Sequence, residues 1–298
     1  MAARLAQMTV LGAIKGVCSI FVLGASRFLL GCANWINGNL EGKKAGCASL
    51  DRSGGTGSLL VTERAMSSRV VAATYDAVGG PSKLVQAADG YWAGPTDPGQ
   101  YRVAKCGRHS SPSYPVWSKI RWGSDIKETG GKLFVMHNGA FKPLSELSPT
   151  LSKDDIKQRH KELYGKYEVP PKWVFNDFGH MTCYFYKDLN NNKKLDGKEH
   201  IHTEYFHTTP DNEAQQSSGQ PVTLGESHGC IHLKPVDIDD LIAKSYFKSG
   251  NKVVVHKAGE KVPKWDSDPA ATAPFEVHFF QGEKKLVVTG QRSKRKTP

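Results

Sequence analysis

The residues with the clearest chemical potential lie in one run, Ser227-His228-Gly229-Cys230-Ile231-His232-Leu233. A thiol acts as a nucleophile through its thiolate, so it needs a base or a positive field close by. On extended backbone, His232 shares a face with Cys230. Gly229 lets the chain approach a substrate closely, and its amide could face a developing oxyanion. A base could also come from a paired strand upstream. On residues 201–207, Thr203, Tyr205 and His207 share one face, and His202, Glu204 and Phe206 the other. A regular strand therefore turns only one of His202 and His207 toward the cysteine. Two other readings compete. Cys230 could be a buried structural thiol. Alternatively, His200, His202, His207, His228, Cys230 and His232 supply nitrogen and sulfur donors for zinc, in a spacing that fits no common zinc motif.

A second candidate is Asp188-Leu-Asn-Asn-Asn-Lys-Lys-Leu-Asp-Gly-Lys-Glu199. Its Asp188, Asn190, Asn192, Asp196 and Glu199 fall at positions 1, 3, 5, 9 and 12 of a calcium loop. Lys193 stands where Gly is expected, and strands flank the run. The plainer reading is a polar hairpin turn, with any calcium structural.

These groups need elements to hold them. Strand-like runs occupy Ser68–Tyr75, Gly99–Ala104 and Gly130–Met136. Met181–Lys187 and His200–His207 form a long hairpin. Residues 151–166 predict a solvated helix, opened by Ser152 and Asp155 in a capping-box arrangement, with Ile156, Leu163 and Tyr164 on one side. Pro235–Phe247 predicts a second helix, which Gly250 ends. Lys252–His256 reads as a buried strand, and Phe275–Phe280 with Lys285–Thr289 as a hairpin around Gln281-Gly282.

The chain has 298 residues and a net charge of +11. That charge points to anionic partners: nucleic acid, lipid or an acidic polymer. Nucleic-acid binding has no motif behind it. Six cysteines are too few for a disulfide scaffold, and none form a C-x-x-C pair. Residues 1–36 read as an export signal or membrane anchor, with a lipobox-like Leu29-Leu30-Gly31-Cys32, and 37–57 as a flexible linker. The tail after Gln291 is basic. Attraction to anionic wall or lipid is one reading of it, a solvated end the other.

Ser227-His228-Gly229-Cys230, preceded by a His, resembles the signature of the L,D-transpeptidase (YkuD-type) family of bacterial peptidoglycan enzymes. Flanking runs are similar too: Thr96–Val103, His207-Thr208-Thr209-Pro210, Val236–Leu241 and Gly250–Val255. The resemblance covers roughly 58–257, leaving 258–298 as a C-terminal β-hairpin extension and basic tail. It implies a mainly β domain, a sandwich-like mixed sheet with a few helices. It departs from the family pattern at His232, where Arg is common, and at Thr208, where Gly is common; the interval from His207 to Ser227 is also a little longer than usual, which implies an enlarged loop over the site at Pro210–Gly225. Thr208 and His232 are expected to bear on substrate binding. The resemblance implies that His207 deprotonates Cys230, oriented by the Thr208 carbonyl or a neighbour. Ser227, His228 and Gly229 would complete the motif, with the amides of Gly229 and Cys230 stabilising the oxyanion. The partners implied are peptidoglycan stem peptides and the anionic wall, with membrane contact through the N-terminus and an exported, periplasmic or envelope location. No cofactor is needed. The same chemistry with water gives an L,D-carboxypeptidase, and delivery to a rival cell gives an antibacterial effector. A wall-binding protein without turnover is the non-enzymatic alternative.

Overall fold

The computed structural model describes residues 69–111 and 115–293. The N-terminal segment, the linker, Cys18, Cys32, Cys47 and the tail beyond Ser293 lie outside the described residues.

The chain is mainly β, as the alternating and β-branched runs require. Its strands are β1 (Arg69–Asp76), β2 (Val85–Gln86), β3 (Trp92–Ala93), β4 (Gly99–Gly107), β5 (Ile126–Thr129), β6 (Lys132–His137), β7 (Ala140–Pro143), β8 (Thr182–Tyr186), β9 (Ile201–His207), β10 (Ile231–His232), β11 (Lys252–His256), β12 (Thr272–Phe280) and β13 (Lys285–Gln291). Its helices are α1 (Leu144–Leu147), α2 (Lys153–Tyr164), α3 (Pro210–Ser217) and α4 (Pro235–Ala243).

Eight strands form one mixed sheet in the order β1-β13-β12-β11-β4-β8-β9-β10. The C-terminal hairpin is therefore not peripheral. It separates β1 from β11 and buries Val277, Phe279, Leu286 and Val288 in the main core. The two edges of the sheet meet beyond β1, where Val78 and His232 exchange backbone hydrogen bonds of 3.1 and 2.8 Å. An open edge is a liability, and here the chain covers its own.

Between β4 and β8 the chain leaves the sheet to build a lobe of β5-β6-β7, α1 and α2. The lobe has its own core of Ile120, Leu133, Val135, Ile156, Trp173 and Phe175. Its base is stapled by a disulfide between Cys106 on β4 and Cys183 on β8, residues that face each other in the antiparallel register. The capping box at α2 is formed as expected, the Ser152 hydroxyl and the Asp155 carboxylate each accepting the other residue's amide.

Two expectations need correction. The 210–225 segment is not all loop: Thr209 caps α3 by accepting the Asn212 amide, and Pro210 starts it. The second helix also stops at Ala243, not at Gly250. The Lys244 amide turns back on Asp240 and Ile242, and Ser245 takes a left-handed φ of 61°. The Tyr246 and Phe247 amides then close on the Leu241 carbonyl.

Candidate active site

Strand β10 runs parallel to β9, with Ile231 beside Phe206 and His232 beside His207. One residue earlier, that register sets Cys230 beside Tyr205, whose backbone amide bonds the thiol. Side chains alternate along a strand, so Cys230, His232, Tyr205 and His207 share one face. The His207 and His232 rings meet edge to face at 4.7 Å. His202 lies on the opposite face, packed on Tyr101 at 5.0 Å and Phe185 at 5.4 Å, with Nε2 at 3.4 Å from Asp97.

His207 Nδ1 lies 2.6 Å from the Thr208 carbonyl. A carbonyl only accepts, so Nδ1 carries the proton and Nε2 is the basic atom. Burial holds the imidazole well below its ordinary pKa, and neighbouring His232 pushes the same way. Burial likewise pushes the Cys230 thiol up to about 12, against the opposing Tyr205 amide and with help from the Glu204 charge. Both groups thus rest neutral.

The motif loop is folded on itself. The Ser227 hydroxyl donates to the Cys230 carbonyl and accepts the Gly229 amide at 3.0 Å. The Ser227 amide is held by the Gly79 carbonyl at 3.1 Å. Gly229 has φ of 144°, and a Cβ there would stand 2.6 Å from Glu204 Oε1. Glycine is required on both counts. The Gly229 amide, expected to face an oxyanion, is engaged here by the Ser227 hydroxyl.

His228 is half exposed. Its Nε2 lies 3.1 Å from Asp89, at the tip of the β2–β3 hairpin, and Tyr91 meets its ring edge to face at 6.4 Å. That hairpin carries Leu84, Val85, Tyr91 and Trp92, all exposed. Thr208 and His232, expected to bear on substrate binding, are both buried. Thr208 is fully buried and meets His207 through its carbonyl. His232 is buried, with Nδ1 at 2.8 Å from the Gly225 carbonyl.

Sequence reasoning missed the aromatic wall around this face. Phe178 packs on His207 at 4.9 Å, on Tyr205 at 5.4 Å and on His109 at 4.1 Å. Tyr205 was visible as a face-mate of His207; Phe178 and His109 carry no local signal. Glu204 was missed as well. Its Oε2 accepts the Asp97 amide at 2.8 Å, and burial pushes its carboxyl up to about 7.

Among the described residues, no group of three or more His, Cys, Asp or Glu side chains is placed to hold a metal ion. Of the residues of the zinc reading, His202 lies on the face opposite His207, Cys230 and His232, and His228 pairs with Asp89. In the 188–199 turn, Asp188 pairs with Arg102 at 3.0 Å, and Asn190 and Asn192 donate to Asp196 at 3.0 and 2.7 Å. Glu199 accepts the amides of Leu189 and Asp196.

A partly buried thiol and a buried histidine thus share one face of the mixed sheet, with aromatic rings packed on the histidine. The family of L,D-transpeptidase catalytic domains (YkuD) matches residues 62–255, and the chain belongs to that family. The family acts on peptidoglycan stem peptides. Neither a curated protein nor a solved structure gives a significant match. No helix among the described residues is long and apolar enough to cross a membrane.

Proposed function

We propose that this protein is a cysteine L,D-transpeptidase that works on peptidoglycan stem peptides through a thioester. The observation that carries the reading is the β9–β10 register, which sets Cys230 and His207 on one face with His207 Nε2 unprotonated.

The chemistry follows from two neutral partners. The Cys230 thiol passes its proton to His207 Nε2 as its sulfur attacks the carbonyl before a terminal D-Ala. The imidazolium returns that proton to the departing amine. D-Ala leaves, and the acyl group remains on sulfur. An amine from a second stem peptide then attacks the thioester, and His207 relays its proton, freeing the thiol. Phe178 and Tyr205 pack on His207, and rings there would keep water from a thioester and so favour transfer over hydrolysis. The exposed Tyr91, whose ring meets His228 edge to face, offers an apolar surface for the substrate on the β2–β3 hairpin.

The Cys106–Cys183 bridge supports an exported location, since such bonds persist in oxidising compartments. The net charge of +11 suits an anionic wall.

The test is incubation of the purified domain with tetrapeptide muropeptides, read by mass spectrometry. Cross-linked dimers are the expected product. Tripeptides alone would replace transfer by an L,D-carboxypeptidase reading, and binding without turnover would leave a wall-binding protein. Turnover unchanged in Cys230→Ala would remove the mechanism altogether.

A further inference from the structure

We propose that the Asp188–Glu199 turn between β8 and β9 is a calcium-binding site. Asp188, Asn190, Asn192, Asp196 and Glu199 occupy the side-chain positions of a twelve-residue oxygen-donor loop, and the Lys194 carbonyl holds the backbone position.

The spacing alone would not carry this. The independent observation is Asp188 itself. Its side chain is only 6% exposed, yet its Oδ1 has no hydrogen-bond partner. Leaving a buried carboxylate oxygen unmet is costly. The other oxygen, Oδ2, receives the Lys193 amide from inside the turn at 3.3 Å and Arg102 Nε at 3.0 Å. The carboxylate is thus fixed at the turn's entrance with one atom unsatisfied. The Tyr186 hydroxyl is also buried without a partner, and it feels the charges of Asp188, Glu199 and Asp196 together. Three carboxylates therefore bear on one region.

The Asn190 and Asn192 side chains crowd the Asp196 carboxylate at 3.0 and 2.7 Å. A rotation of each amide presents oxygen in place of nitrogen, the donor a hard cation takes. Lys193 has φ of 63°, the left-handed turn that Gly usually supplies at this position. Glu199 now caps the Leu189 and Asp196 amides, so the three carboxylates do not yet stand at ligating distance. Calcium completes the set by drawing Glu199 inward. The donors are all oxygen, which excludes zinc on preference, and seven oxygen positions suit calcium better than magnesium's tight octahedron. Arg102 and three loop lysines oppose the charge, so the affinity belongs to the weaker part of the range.

The experiment is calorimetric titration of the EDTA-treated protein with CaCl2, with melting curves in CaCl2, MgCl2 and EDTA. One saturable calcium site is expected, with Kd between about 10⁻⁵ and 10⁻³ M. Calcium raises the melting temperature of the wild type, while equal magnesium raises it less. Glu199→Gln and Asp196→Asn lose that response. No saturable heat in the wild type, an equal response to magnesium, or undiminished binding in both variants overturns the proposal. The wild-type titration decides even if a variant fails to fold. No readout involves turnover, so the outcome is independent of the transpeptidase reading.

Discussion

Cys230 rests as a protonated thiol, because burial raises it more than the Tyr205 amide lowers it. His207 rests neutral for the same reason of burial. The pair is therefore no preformed ion pair, and proton transfer must accompany attack. His207→Ala should lower acylation by about 10²–10⁴-fold, the usual contribution of a general base. His202→Ala, on the far face, should leave acylation within a few-fold of wild type. Mass spectrometry of the acyl-enzyme checks both. Glu204 supplies a second prediction. Its charge opposes the thiolate, so Glu204→Gln should speed iodoacetamide alkylation of Cys230 at pH 8. An unchanged or slower rate would deny that coupling. At this scale the strand alternation that divides His202 from His207 was legible in the sequence. The engagement of the Gly229 amide by Ser227 was not. A hydrogen bond two residues long within a loop depends on a φ of 144° that no residue pattern specifies.

At the scale of elements, the site depends on three supports that approach it from different sides. The β9–β10 register carries the reacting groups, the β2–β3 hairpin leans on His228, and α3 and α4 are tied to the loop before β8. The last tie is His180, with Nδ1 at 2.6 Å from Glu213 on α3 and Nε2 at 2.8 Å from Asp239 on α4. Burial disfavours its charge, but the two carboxylates outweigh that and raise its pKa to about 9. A raised folded-state pKa stabilises fully below the unfolded value of about 6.5, and that stabilisation fades as pH rises toward 9. Wild type should therefore lose melting temperature between pH 6.5 and 9, and His180→Gln should show less of that loss. The strands and α2 could be read from alternation and capping. Helix α3 carried a Thr-Pro start that went unread. The early end of α4 was hidden because Ser245, an L-residue, takes a conformation more usual for glycine.

For the whole molecule, the C-terminal hairpin lies beyond the residues that match the family, yet it sits inside the sheet. Without β12 and β13, strand β1 loses its neighbour and the core loses Val277, Phe279, Leu286 and Val288. A chain ending at Lys257 should therefore show no cooperative melting by circular dichroism. Local patterns identified the hairpin, but strand order depends on pairings between distant residues, which one sequence does not expose. The disulfide was illegible for the same reason: Cys106 and Cys183 are 77 positions apart and meet only through the β4–β8 register. Its place at the base of the 108–181 lobe has a practical result. Any single protease cut within that lobe leaves both pieces joined through sulfur. On a gel without reductant the cleaved protein should migrate as one band, and adding a thiol should release two fragments.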